Sequence, residues 1–151
     1  MADGLYLQYD KENEKRIQDS LKSLYKANQE KGVFAFGLIG EKITNLARNQ
    51  KTYQDQTSNL INSTGYVLVE NSNVERKDFG TGEGAKIGLD IALENKSSNK
   101  EEIQLIIDAG MEYAEELESK GYKVISFALP NITQMAKDIE KMFKKWFQNL
   151  T

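Results

Sequence analysis

Apolar residues recur at helical spacing in three parts of the chain. Ile17, Leu21, Leu24 and Tyr25 mark a narrow apolar stripe over residues 10–30, with Asp10 as a fair N-cap and Gly32 at its end. Phe36, Ile39, Ile43, Leu46 and Ala47 share one face over 33–50, and Phe34 and Leu38 widen it. Gly37 and Gly40 weaken that helix locally and allow another helix to approach closely. Ile132, Met135, Ile139, Met142 and Trp146 make the third stripe, flanked by Phe143 and Phe147. It follows Pro130, with Asn131 as N-cap and Gln134 as a capping-box partner. The stripe reads as core, or as a partner surface if Trp146 and Phe147 are exposed.

Between the second and third stripes the period shortens. Tyr66-Val-Leu-Val-Glu70 is a strand by its β-branched content. Asn71-Ser-Asn73 is a turn, and Val74–Phe79 its returning partner. Ile103–Ala109 is apolar enough for a central strand, and Tyr122–Leu129 reads as the last one. Short helices are expected near 86–95, with Ile87, Ile91 and Leu93, and over Tyr113–Gly121, closed by its glycine. The Gly-rich run Gly80–Gly84 reads as a mobile surface loop, and Asn95–Lys100 as a polar linker.

These elements predict an α+β fold. A single domain over residues 1–151 holds a mostly antiparallel sheet of three to five strands. The sheet packs against long N-terminal helices and a C-terminal helix, with residues 72–100 as a flexible insertion. One stretch fits neither period. Tyr53–Gly65 is polar, lies between the helical and sheet-forming parts, and reads as an elbow that aims one relative to the other.

Composition narrows the chemistry. The chain of 151 residues contains no Cys and no His. Disulfides, thiolate metal sites, thiol catalysis and imidazole general bases are therefore excluded. Any catalysis would fall to carboxylates, Lys or Tyr, so the composition points away from an enzyme, and no cofactor is expected. Mean hydropathy is −0.60, and no apolar run reaches the roughly 18–20 residues that span a bilayer. The first residues carry neither a basic nor an apolar signal segment, so no secretion signal is expected.

The net charge of −3 is unevenly spread. Residues 70–118 hold 13 acidic against 5 basic side chains, a balance of −8, whereas 131–151 carry +2. This describes a solvated acidic face, or acidic and basic faces that meet head to tail between subunits. It disfavours a broad nucleic-acid-binding surface.

Other candidate motifs are weak. Gly80-Thr-Gly-Glu-Gly-Ala85 matches a relaxed dinucleotide fingerprint but lacks the βαβ context, and Lys86 is not followed by Ser or Thr. Glu115, Glu116 and Glu118, like Asp90 and Glu94, lack the interleaved pattern of a calcium loop, so no metal site is expected. Lys141, Lys144 and Lys145 form a small basic patch beside Trp146, suited either to solvating the helix or to touching phosphates.

Two stretches together resemble the tail-completion, or head–tail joining, proteins of long-tailed phages and prophages. There a long amphipathic helix leads to Tyr/Pro-x-Asp-x-Thr-Gly-x-Leu-Arg-x-Ser-Ile and then to a strand. Here the residues are Tyr53, Asp55, Thr57, Asn59, Leu60, Ser63 and Gly65, with Ser58 in place of the usual Gly. Ile61 and Thr64 stand where Arg and Ile are usual. The segment Tyr113-Ala114-Glu-Glu-Leu-Glu118-Ser-Lys-Gly121 is similar to the family's Tyr-Ala-x-x-Val-Glu-x-Gly, and a strand and a C-terminal helix follow in both.

The resemblance spans about residues 15–150 and implies a non-enzymatic virion protein. Its members join the tail to the head connector as a homo-hexameric ring around the DNA channel, and can be monomers when isolated. The implied partners are further copies of the chain and neighbouring connector and tail-tube proteins. DNA passes through without sequence-specific binding, and no membrane is involved. The implied location is the virion neck, with assembly in the host cytoplasm. Asp55 and Thr57 would turn and cap the backbone, and Leu60 would plug the turn into the core. Asn59, Ser63 and Gly65 would form the turn, Tyr113 would pack on the sheet, and Glu118 would hold a backbone amide or a lysine. Lys141, Lys145, Trp146 and Phe147 are the candidate interface. The alternatives are another neck component, such as a head-completion or tail-terminator protein, and a small cytoplasmic regulatory or binding domain.

Overall fold

The computed structural model describes residues 15–17, 19, 20, 32–96 and 103–148, without side chains for 32, 143 and 146–148. The elements in order are α1 (Gly32–Asn49), α2 (Asn59–Ser63), β1 (Thr64–Glu70), β2 (Asn73–Asp78) and α3 (Gly82–Glu94). β3 (Ile103–Ala109), α4 (Ala114–Ser119) and α5 (Asn131–Gln148) follow. Of the first expected helix, Ile17 is helical and buried in the main core. Asp10, Leu21, Leu24 and Tyr25 lie outside the described residues.

β1 is the middle strand of an antiparallel sheet ordered β2-β1-β3. Its register with β3 runs from Thr64 opposite Ala109 to Glu70 opposite Ile103. Asn71 and Ser72 both take left-handed backbone, as a two-residue hairpin requires, and return the chain as β2. β2 is polar and almost wholly exposed, which protects that edge of the sheet.

The sheet is covered on both faces, so β1 and β3 read as continuous apolar runs. Tyr66, Leu68, Leu105 and Ile107 face α1 and α5, where Phe36, Ile39, Ile43, Ile132 and Ile139 fill the main core. Val67, Val69 and Ile106 face α3 and Ala92. Gly40 of α1 admits the Tyr66 ring, because a Cβ there would come within 2.6 Å of it. Its close neighbour is therefore the sheet rather than another helix.

The Gly-rich run is not an open loop, since α3 begins at Gly82. Gly84 and Gly88, one turn apart, press α3 directly onto the preceding backbone. A Cβ on Gly84 would lie 2.3 Å from the Asn59 carbonyl oxygen, and one on Gly88 2.4 Å from that of Ser63. Residues 73–94, expected within a flexible insertion, thus supply an edge strand and one whole layer of the fold. Residues 97–100 of the expected linker lie outside the described residues.

Tyr122–Leu129 is not a strand. Glu118 Oε1 accepts the Ile125 and Ser126 amides at 2.6 and 2.8 Å. Ala128, Asn131 and Ile132 donate to carbonyls three residues back. These amide donors are taken by a side chain and by successive turns, which leaves no ladder to form. Apolar side chains of the segment still find cover, because Val124, Ala128 and Leu129 are buried.

The capping box of α5 is not made. Gln134 donates forward to Asp138 at 2.9 Å, and the Asn131 side chain donates to the Ala128 carbonyl. Among the described residues of α5, Ile139 is the last that is buried, and Met142 is 52% exposed. Among the described residues, no helix is long and apolar enough to cross a membrane.

Candidate functional site: the elbow between helix and sheet

The elbow starts where α1 ends. Arg48, in the last turn of α1, donates to the Thr64 carbonyl at 2.7 and 3.1 Å and pairs with Asp78 at 3.6 Å. One guanidinium thus ties the end of the helix to the start of β1 and the end of β2. Sequence reading passed over Arg48, because a lysine-like charge at a helix C-terminus is common. Beyond it, Thr52 exchanges hydrogen bonds with Lys123. The Lys123 amide donates to Thr52 Oγ1 at 2.7 Å, and the Thr52 amide donates to the Lys123 carbonyl at 3.4 Å.

Asp55 is the elbow's cap. Its Oδ2 accepts the Ile61 amide at 2.8 Å, and its carbonyl accepts the Ser58 amide. Thr57 Oγ1 accepts the Asn59 amide at 3.3 Å. Two early donors of α2 are therefore satisfied from upstream, while the residue at the N-cap, Ser58, makes no side-chain cap. Ser58 instead has φ 61°, in left-handed backbone that favours glycine.

Asn59 and Ser63 lie in α2 rather than in an open turn, and Gly65 lies in β1. Ser63 Oγ and Thr64 Oγ1 both donate to the Leu60 carbonyl, and the Gly110 amide donates to the Ser63 carbonyl. Gly65 is needed for close approach, since a Cβ there would sit 2.1 Å from the Asp78 carbonyl oxygen. Asn62, unremarked in the sequence, holds the chain on the far side, with its Oδ1 accepting the Thr81 amide and its carbonyl that of Gly80.

The elbow brings together the two stretches that carry the family resemblance. Tyr53 and Leu60 pack with Ala114 and Val124 in a small core of their own. Burial, and then the Asp55 carboxylate, push the Tyr53 hydroxyl up to about 12. Tyr113 is exposed and belongs to none of the apolar clusters. Its hydroxyl lies near Thr57 and is raised by slight burial and then by Asp55. Glu118 holds two backbone amides, as the resemblance implied for one. Gly121 has φ 89° and closes α4, with the Tyr122 amide donating to the Leu117 carbonyl.

The candidate interface on α5 is separate from this cluster. Lys141 and Lys145 are exposed, Lys144 pairs with Glu140 at 3.7 Å, and the side chains of Trp146 and Phe147 lie outside the described residues. Among the described residues, no group of three acidic side chains is placed to hold a metal ion. What the elbow does chemically is satisfy backbone groups and fix an angle.

No family model, curated protein or solved structure matches this chain.

Proposed function

We propose that this chain is a non-enzymatic virion protein that completes a phage or prophage tail and joins it to the head connector, as a ring around the DNA channel. The observation that carries the reading is the backbone of Ser58. The family pattern has glycine at that position, and here the residue adopts the left-handed conformation that makes glycine the natural choice. The pattern's other polar positions act in the same architectural way. Asp55 and Thr57 cap α2, and Leu60 anchors it beside Ala114 of the second stretch.

In this reading the elbow is a rigid joint. It fixes α1 against the sheet through Arg48, so that contacts between subunits and neck neighbours meet at defined angles. The partners are further copies of the chain and adjoining connector and tail-tube proteins. The protein acts in the virion neck after assembly in the host cytoplasm. Disrupting its gene in the producing phage is expected to leave DNA-filled heads and finished tails unjoined in electron micrographs. Joined particles at wild-type yield would end the proposal, and loss of heads alone would favour a head-completion role.

A further inference from the structure

The polar side chain that the fold leaves least satisfied is Asp108. It lies on β3, on the face shared with Ile106, and is only 8% exposed. Neither of its carboxylate oxygens has a hydrogen-bond partner. Burial alone pushes its carboxyl up to about 7. A charged group in that position normally acquires a partner, because an unpaired buried carboxylate is costly.

Asp108 lines a pocket of about 270 Å³ beside β3. Among the described residues, no strand pairs with the outer edge of β3. Glu112, Glu115 and Glu118 bring three more carboxyl groups to the walls. One oxygen of Glu118 holds backbone amides, while the other, Oε2, is buried without a partner. Ile91 of α3 and Asn95 at its C-cap carry no charge, and Met111 and Leu129 complete an apolar lining. Among the described residues, every charged group that lines the pocket with Asp108 is acidic. The volume falls below the ~300–1,000 Å³ usual for drug-sized ligands and suits a single long side chain. The apolar walls and the lack of a converging acidic triad disfavour a metal ion. An aliphatic stem with a cationic head matches both halves of the lining.

The chain carries such groups on another face. Beyond Ile139 on α5, Lys141, Met142, Lys144 and Lys145 are all exposed. Lys141 and Lys145 lie one turn apart on one side of the helix. We propose that the pocket beside β3 is a socket for a lysine from α5 of a second copy of this chain. α5 packs on the sheet face of Leu105 and Ile107, whereas Asp108 shares the opposite face with Ile106, so the contact is head-to-tail and can propagate into a closed ring. The proposal deepens the ring assembly above and rests on that reading for its biological setting, but its chemistry can be tested in purified protein.

Two variants each keep half of the contact. Lys141→Glu/Lys145→Glu retains the socket, and Asp108→Asn, close to isosteric, retains the lysines. The first is prepared with 13C-labelled Asp carboxyl and Met methyl groups and mixed at low salt with unlabelled Asp108→Asn. The expected result is a saturable shift of the Asp108 carboxyl and Met111 methyl signals, lost at 0.5 M salt, roughly beyond the reach of screened charges. An unlabelled triple variant, Asp108→Asn/Lys141→Glu/Lys145→Glu, is expected to give at least tenfold weaker binding. n-Butylammonium chloride is expected to move the same two signals in the labelled protein. Equal shifts from the Asp108→Asn mixture and the triple-variant mixture, no shift from either, or no response to n-butylammonium would each overturn the socket. None of these results depends on whether virions contain the protein, so failure here and failure of the virion reading are distinguishable.

Discussion

Two aspartates divide this molecule. Asp55, in a polar stretch at the surface, spends its carboxylate on the Ile61 amide and its carbonyl on the Ser58 amide. Asp108, inside the most apolar strand, is deeply buried and has no partner for either oxygen. The first is the usual economy of a fold, in which a side chain satisfies backbone donors that would otherwise be orphaned. The second is a polar group the fold leaves open. Satisfied groups such as Asp55 make the elbow stiff, and an unsatisfied one such as Asp108 leaves capacity for something outside the chain.

The largest expected effect lies in the elbow's own core. Leu60 is fully buried against Tyr53, Ala114 and Val124, so Leu60→Ala is expected to cost about 2–5 kcal/mol by urea denaturation. A cost below about 1 kcal/mol would mean the elbow is not anchored there.

Asp108 gives a pH signature of the opposite kind. Its carboxyl is raised from 3.8 to about 7, so between those values the folded state holds a proton that the unfolded state has released. Stability therefore falls as pH rises through this window and levels off above about 7. The whole change is on the order of 4 kcal/mol, at about 1.4 kcal/mol per pH unit. Denaturation at pH 5 and pH 8 is expected to show this slope in the wild type and to lose it in Asp108→Asn. An unchanged slope in the variant would place the titration elsewhere.

Smaller effects sharpen the account of the elbow. Asp55→Ala removes the cap of α2 and is expected to cost about 1–2 kcal/mol, with tail joining reduced in parallel. A full-strength melt with normal joining would remove Asp55 from the joint. Ser58→Gly relieves left-handed backbone and is expected to add up to about 1 kcal/mol, net of the unfolded glycine's extra entropy. Destabilisation instead would show that the Ser58 side chain matters more than its backbone.

Much of this was legible in the chain, for local reasons. β1 and β3 announce themselves as apolar runs, and α1 and α5 through their stripes. Asp55, Thr57 and Leu60 were readable as cap and plug because capping chemistry acts over a few residues. The α+β class followed from these elements.

What was not legible depends on distant partners. Tyr122–Leu129 is apolar enough to read as a strand, but Glu118, outside that segment, takes two of its amides. Gly84 looks like a loop residue, and Gly88 like an ordinary helix position, until the backbone of Asn59 and Ser63 is placed beneath them. Tyr113 lies near Thr57 rather than in an apolar cluster, a placement set by where the elbow lies. Asp108 sits in a run whose neighbours give no hint that a pocket opens beside it. Arg48 reads as one more surface cation, and only the fold shows it holding three elements together.

The central claim is that this architecture serves a virion joint. Quantitative mass spectrometry of purified, complete particles of the phage or prophage that encodes the chain tests it most directly. The expected result is the intact polypeptide at a fixed low copy number per particle, present in joined virions and depleted from unjoined heads. Its absence from complete particles would contradict the account.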